Sequence, residues 1–275
     1  MSEQALARRQ AAVRVYDRAA PLYDQVGPRF YARFGQRLIE LAQLATDARV
    51  LDVASGRGAL LFPAATQTQR GGRVIGSDLS LPMAQATNAQ IKNRAVANAA
   101  MLQMNGQALA FPDACFDNVL CGFAIFWFTD IQRALGEFQR VLRSQGRVGI
   151  SMSGGADPRW QWYHDLLVQY DEQHHIFEDT GRHMNGKPDE LVSALAQSGL
   201  NDIRIVVETF DVIYANAEEW WASLWTHGSR LPLEKMTPAV LKQFQRDAFV
   251  GILALKQADG FHEAWRVALA FATKP

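Results

Sequence analysis

Apolar positions along this chain fall into two alternating patterns, short continuous runs and runs with a helical period. Residues 49–54 form a short apolar run that opens onto glycines and predicts a strand. Residues 59–69 then show a helical pattern in which Pro63 must lie near the first turn. A second short run, at 72–77, predicts another strand. Ser80 reads as the N-cap of the following helix, with Pro82 in the first turn and Met83, Thr87 and Ile91 in an i, i+4 stripe. Residues 99–104 make a weaker third strand. Residues 117–123 are almost continuously apolar, as a parallel strand buried on both faces must be. Thr129 or Asp130 caps a helix with apolar residues at Ile131, Ala134, Leu135, Phe138, Val141 and Leu142, a 3.6-residue period that runs to Ser144, Gln145 and Gly146. Residues 147–152 are the fifth strand. Strands alternating with helices predict a doubly wound, mostly parallel sheet joined by right-handed crossovers.

The two flanks read differently. The first 40 residues show no strand pattern and read as helix, with seven arginines (Arg8, Arg9, Arg14, Arg18, Arg29, Arg33 and Arg37) interleaved with Tyr16, Leu22, Tyr23, Phe30, Tyr31 and Phe34. A solvated helix face accounts for most of those arginines. After Ser153 we expect helices at 160–170 and 188–197, the second closed by Gly199, and a strand at 203–214. Asn216 with Glu219 forms an Asn variant of the capping box for a Trp-rich helix ending at Gly228. Thr237 and Pro238 start a further helix, and 264–273 reads as a final strand. The division expected is a helical segment over 1–40, then one domain over 41–275 with helical insertions at about 155–190 and 215–258 covering one end of the sheet.

Composition narrows the partners. Of 275 residues, 48% are hydrophobic and 20% charged, enough to bury a sizeable core. Lys and Arg total 28 against 28 Asp and Glu, so the chain lacks the positive field that non-specific nucleic-acid binding uses. No apolar run approaches the roughly 18 to 20 residues that span a bilayer. Residues 1–20 lack the apolar core of a signal peptide, so a soluble, cytoplasmic protein is expected. Cys115 and Cys121 have no Cys-x-x-Cys spacing and indicate neither disulfides nor zinc.

The sharpest local signal is the run Val50, Leu51, Asp52, Val53, Ala54, Ser55, Gly56, Arg57, Gly58. A strand feeding a glycine turn and then a helix lets backbone N–H groups approach a polar ligand at the helix N-terminus. Twenty residues beyond Gly58, Asp78 ends the second strand, where a carboxylate can accept hydrogen bonds from both hydroxyls of a ribose. Together they indicate a nucleoside site. A dinucleotide fingerprint wants a third glycine three residues after the second. Here Ala59, Leu60 and Leu61 follow Gly58, which disfavours nicotinamide and flavin dinucleotides and suits a cofactor without phosphates.

These residues resemble motif I of the class I S-adenosylmethionine-dependent methyltransferases, with Ala54 at the family's first glycine, a substitution expected to cost little. The resemblance continues in order through residues 76–83, through Asn105 to Asp117, and through the helix carrying Glu137 to Arg143 with Gly146 to Val148 after it. Residues 45–153 are covered, and the segment is most similar to the ubiquinone/menaquinone branch of small-molecule enzymes. The resemblance implies a Rossmann-like, seven-stranded sheet whose last strand runs antiparallel, with helical caps at both ends of the chain, and S-adenosyl-L-methionine as cofactor. It implies cofactor contacts from Tyr23, Asp52, Ala54, Ser55, Gly56, Gly58, Asp78, Leu79, Met83, Asn105, Gly106, Gln107 and Cys121. Asn105 stands where the family has an Asp that accepts from the adenine amino group; its side-chain oxygen can still accept, without charge. Gln107 likewise replaces a Glu. The Tyr16 to Asp24 segment resembles the family's cofactor-covering helix, which makes the N-terminal segment a lid.

The acceptor side is less legible. Phe123, Phe126, Trp127 and Phe128 follow the fourth strand at the ligand end of the sheet, and Trp220, Trp221 and Trp225 share a later helix. Packed core accounts for most of these rings. Tyr16, Phe126 and Trp127 are the candidate acceptor contacts, since methyl transfer needs a dry, shaped site. His164, His174, His175, His183, His227 and His262 show no metal-ligand spacing beyond an adjacent pair, so no metal is expected. No catalytic residue stands out, and His227 is the leading candidate for a general base. The expected activity is in-line C- or O-methylation of a small, largely apolar or aromatic acceptor. Its rivals are a cofactor-binding subunit without turnover and, more remotely, a dinucleotide oxidoreductase. Neither nucleic acid nor a membrane span is expected among the partners, and a homo-oligomer is compatible with the composition.

Overall fold

The computed structural model describes residues 3–69, 71–176 and 187–275. His183 lies outside the described residues. Two helices open the chain, α1 (Glu3–Ala19) and α2 (Phe30–Ala42). The alternating section follows as β1 (Arg49–Val53), α3 (Leu61–Gln67), β2 (Arg73–Asp78), α4 (Leu81–Asn93), β3 (Ala99–Gln103), β4 (Phe116–Gly122), α5 (Ile131–Val141) and β5 (Leu142–Gly155). The C-terminal part comprises α6 (Gln161–His174), α7 (Pro188–Gln197), β6 (Asn201–Tyr214), α8 (Ala217–Leu224), α9 (Arg230–Lys235), α10 (Pro238–Leu253), β7 (Lys256–Gln257) and β8 (Gly260–Thr273).

The main path of the sheet runs β3-β2-β1-β4-β5-β8-β6, with the two-residue β7 paired to β8 off this path. β1 to β5 pair in parallel, and β8 runs antiparallel to both β5 and β6. The chain winds from β1 outward to β3, then returns to β4 on the other side of β1. The C-terminal ends of β1 and β4 therefore flank the point where winding reverses, the crevice in which open α/β sheets bind ligands.

Burial on both faces explains the apolar strands. Val50 packs with Phe34, Leu38 and Leu61 on one face, while Leu51 and Val53 pack with Val119, Phe138 and Leu142 on the other. α2 belongs to the first layer, with Phe34, Leu38 and Ile39 buried on its sheet-facing side. α6, α8 and α10 add a Trp-rich extension of that layer, including Trp160, Trp220 and Phe244. Capping follows the local chemistry: the side chains of Ser80, Asp130, Asn216 and Thr237 accept from the backbone N–H groups of Met83, Arg133, Glu219 and Val240.

Three local expectations change. The period of α5 does not carry it to Gly146; the helix stops at Val141, and residues 142–146 join β5 through Phe116 pairing with Leu142 and a register shift. Gln145 there adopts φ 62° and donates its N–H to the Lys274 carbonyl at 2.9 Å, so the closing strand captures the turn. The last strand starts at Gly260, before 264, because Gly260 at φ 137° closes a tight hairpin with β7. α9 was hidden because its six residues are too few to show a period. Among the described residues, no helix is long and apolar enough to cross a membrane.

Candidate cofactor and acceptor site

A cleft opens at the C-terminal ends of β1 to β4. Its floor is the turn after β1. Ala54 (φ 55°), Gly56 (φ 53°) and Gly58 (φ 83°) are all left-handed. A non-glycine residue pays roughly 1–2 kcal/mol there, so Ala54 is a strained replacement for glycine and not the near-neutral one its size suggests. Gly58 cannot carry a side chain at all, because a Cβ would lie 2.7 Å from the Phe62 ring. Its contribution is to turn the chain, not to line the cleft.

Asp78 ties this turn to the next. Its Oδ2 accepts from Gly56 N–H and its Oδ1 from Ser80 N–H, each at 2.8 Å. Burial pushes the carboxyl up to about 6, against the lowering effect of those two backbone donors. Each oxygen retains accepting capacity toward the cleft, as a vicinal diol would require. Leu79, Met83 and Met104 make an apolar wall beside it, and Asn105 supplies a polar edge. Asn105 Oδ1 accepts from Gln107 N–H at 3.0 Å and has a further lone pair to offer. Gly106 keeps this wall thin, since a Cβ would come within 2.6 Å of Val53 Cγ1 and 2.8 Å of Phe128 Cε1. Gln107 turns its amide oxygen to Thr129, at 3.1 Å from Oγ1, and so anchors the loop that carries Phe128.

A smaller recess shares Tyr23, Ala54, Gly56, Gly122 and Phe123 with the cleft and adds Tyr31, Asp52, Ser55 and Ser151. Ser55 Oγ donates to Asp52 Oδ2 at 2.6 Å, while Oδ1 is buried without a hydrogen-bond partner. Burial pushes Asp52 up to about 7, with the nearby Asp78 adding to the rise. An unsatisfied buried carboxylate oxygen invites a cationic or N–H donor.

The segment 1–40 divides by its neighbours. α2 is part of the core, whereas Arg9, Ala12, Val13 and Tyr16 of α1 line the cleft. The helix is fastened by hydrogen bonds from Ser80 Oγ to Asp17 Oδ1 at 2.5 Å and from Arg57 Nη1 to the Ala20 carbonyl at 2.5 Å. Glu234 of α9 adds a salt bridge to Arg18 and another to Arg230. Tyr16 meets Trp127 edge-on at 5.4 Å, and Tyr23 stacks on Tyr31 at 5.3 Å.

Of the residues read from sequence, Tyr16, Tyr23, Ala54, Gly56, Asp78, Leu79, Met83, Asn105, Gly106, Gln107 and Trp127 line the cleft, and Asp52 and Ser55 line the recess. Gly58, Cys121 and Phe126 do not. Cys121 is fully buried in β4 among Val53, Val119 and Ile150, and burial pushes its thiol well up. Phe126 packs into the same core layer, so Phe123, at φ 51° where β4 ends, takes the wall position instead. Sequence reasoning missed Ser80, Met104 and Ser151, each at or just beyond a recognised strand end, and Tyr31 in the first turn of α2. It also missed Arg9 and Val13, which with Tyr16 follow an i, i+4, i+7 spacing on α1. His227 is buried against Phe30 and Tyr31 at 5.7 and 6.2 Å and lines neither space; burial pushes it down to about 4.

A winding-reversal crevice with a glycine turn, the half-buried Asp78 carboxyl at the end of β2 and a polar edge after β3 is an arrangement that can receive a nucleoside. Comparison with known proteins agrees. A family described as a methyltransferase domain matches residues 51–150. Nocamycin O-methyltransferase of Saccharothrix syringae is 29% identical over 249 residues, covering 85% of this chain and 89% of that protein. The ubiquinone/menaquinone biosynthesis C-methyltransferase UbiE of Hahella chejuensis is 28% identical over 207 residues, covering 68% of this chain and 82% of that protein. In fold, the crystal structure of YcgJ from Bacillus subtilis superposes with a TM-score of 0.61 over 88% of this chain and 98% of that one, at 18% identity. Residues 51–150 thus carry a methyltransferase domain, and the relatives that align over most of the chain are small-molecule methyltransferases.

Proposed function

We propose that the cleft holds the adenosine half of S-adenosylmethionine and the recess its amino-acid end. The acceptor is then a small, largely apolar or aromatic molecule methylated at oxygen or carbon. In this reading Asp78 takes the ribose, Leu79, Met83 and Met104 flank the adenine, Asn105 accepts from its amino group, and Asp52 faces the cationic end. The observation that carries it is the Asp78 carboxyl, half-buried beside the glycine turn with accepting capacity facing an apolar slot.

The bound cofactor supplies an electrophilic sulfonium methyl. The chain's own task is to hold two molecules in line and dry, a proximity effect of up to roughly 7–11 kcal/mol. Tyr16, Tyr23, Phe123 and Trp127 exclude water from the space between turn and lid. The relatives' names, one an O-methyltransferase and one a C-methyltransferase, support either acceptor atom. A dinucleotide reading is disfavoured by Leu61, which occupies the third-glycine position and is buried in the core. Calorimetry with S-adenosylhomocysteine and NAD tests the proposal: the homocysteine nucleoside should bind and NAD should bind more weakly or not at all. Tighter binding of NAD would sink it.

A further inference from the structure

Tyr16 and Trp127 line the cleft, one from α1 and the other from the 3-10 turn Ile125–Trp127 that follows β4. Behind both rings runs the turn between α8 and α9, where Gly228 is buried without being one of the cleft's lining residues. A Cβ on Gly228 would lie 2.7 Å from Cζ2 and 3.4 Å from Cη2 of Trp127, and 3.4 Å from the Tyr16 hydroxyl oxygen. The shortest of these is far inside the roughly 3.5–4.0 Å at which carbon atoms pack, so an added methyl would have to displace the ring. The backbone does not ask for glycine here, because Gly228, unlike Gly56 and Gly58, is not left-handed. What Gly228 supplies is space.

The turn is held from both sides and has no room to retreat. Thr226 Oγ1 donates to the Ser223 carbonyl at 2.7 Å, and Leu231 N–H to the Gly228 carbonyl at 3.2 Å. His227 is buried against Phe30 and Tyr31 of α2. Arg230 Nη1 donates to the carbonyls of Arg18, at 3.2 Å, and Trp225, at 3.3 Å, while Glu234 pairs with both Arg18 and Arg230. The end of α1 and the α8–α9 turn are therefore tied together. Trp127 is flanked by Tyr16 and by Phe126, whose ring centroid lies 5.9 Å away, and the open side of its ring is the cleft. A close-packed surrounding passes such a displacement on rather than absorbing it.

We infer that Gly228 is a specificity-determining position: by leaving the space behind Trp127 free of a side chain, it sets how large an acceptor fits between that ring and the bound cofactor. This rests on the acceptor reading above, in which Tyr16 and Trp127 face the acceptor, and adds what fixes their spacing. A methyl at position 228 pushes the Trp127 ring into the cleft. It leaves the cofactor contacts at Asp78 and Asn105 as they are, because the three atoms nearest to such a methyl belong to Trp127 and Tyr16. Cζ2 and Cη2 lie at the far edge of the indole, which a phenylalanine ring does not reach. Trp127→Phe therefore undoes the effect of the methyl.

The test uses the full chain, with and without saturating S-adenosylhomocysteine, and two fluorinated probes titrated by fluorine NMR: 4-fluorotoluene, with one ring, and 1-fluoronaphthalene, with two. Wild type should bind the two-ring probe more tightly, since it buries more apolar area. Gly228→Ala should weaken 1-fluoronaphthalene at least about fivefold and 4-fluorotoluene less than about twofold, with S-adenosylhomocysteine affinity unchanged. In a Trp127→Phe background the same change should leave 1-fluoronaphthalene within about twofold of Trp127→Phe alone. The inference is overturned if Gly228→Ala keeps the wild-type preference, if it weakens both probes equally, or if the loss persists in the Trp127→Phe background. Should Gly228→Ala fail to fold, the double variant should fold, and its failure as well would overturn the inference. Wild type that binds S-adenosylhomocysteine but neither probe also overturns it and leaves the cofactor reading standing. Absence of S-adenosylhomocysteine binding would strike the cofactor reading separately, since the probe series is also run without it.

Discussion

Replacing Asp78 by Ala should weaken S-adenosylhomocysteine binding, and the loss should depend on pH in a way that only this carboxyl explains. Two charge-assisted bonds to a ribose diol are worth about 1.5–3 kcal/mol each, partly offset by water entering the vacated space. A net loss of at least about 1.4 kcal/mol, tenfold in Kd, follows at pH 8. The sign of the pH effect comes from the raised carboxyl. Hydroxyl donors prefer the anion, and with the group at about 6 it is essentially all ionised at pH 8. At pH 5 only about a tenth is ionised, so wild-type affinity should fall by roughly another tenfold. Asp78→Ala has no such proton to lose, and the ratio between the two proteins should shrink by that factor from pH 8 to pH 5. Asp52, raised to about 7, titrates in both proteins, so taking the ratio removes most of its contribution. Isothermal titration calorimetry at four pH values between 5 and 8 measures this. Wild-type affinity in the variant, or a ratio that does not change with pH, would refute the assignment of the ribose to Asp78.

Three further outcomes are expected. Asn105→Asp should keep S-adenosylhomocysteine affinity within a few-fold, whereas Asn105→Leu should lose about 1–3 kcal/mol; equal affinities would place the adenine amino group elsewhere. Amide exchange in α1 should slow when S-adenosylhomocysteine is added, because Asp17, Arg57 and Tyr16 fasten this helix over the cleft, and unchanged exchange there would remove the lid role. His227→Gln should lower turnover by less than about a hundredfold, since the ring is neutral, buried and lines neither space; a loss beyond about 10⁴-fold with cofactor affinity intact would reveal an essential base.

The cofactor half of the site was legible because parallel strands put their C-terminal ends at one edge. Once residues 49–54 and 72–77 read as strands, Asp52, Gly56 and Asp78 had to meet there. The same logic brought Asn105 and Gly106 to the end of β3. It failed in β4, where burial on both faces erases the period-two signal, so nothing in the run 117–123 said that Cys121 faces the core and that Phe123 turns into the cleft. The cap was less legible still. Trp127 and Gly228 are separated by 101 residues, and only the tertiary fold brings the turn after α8 against the turn after β4. From sequence Gly228 reads as the end of a helix and carries no local sign of the ring it backs.

Methyl transfer itself is the central claim, and label transfer from methyl-labelled S-adenosylmethionine tests it directly. Purified protein is incubated with the labelled cofactor and a panel of hydroxylated aromatic compounds, and products are read by mass spectrometry. The account predicts labelled methyl on a small-molecule product, diminished in Asp78→Ala in proportion to its lost cofactor affinity. Tight S-adenosylhomocysteine binding with no label leaving the cofactor for any compound of the panel would contradict it and favour a cofactor-binding subunit without turnover.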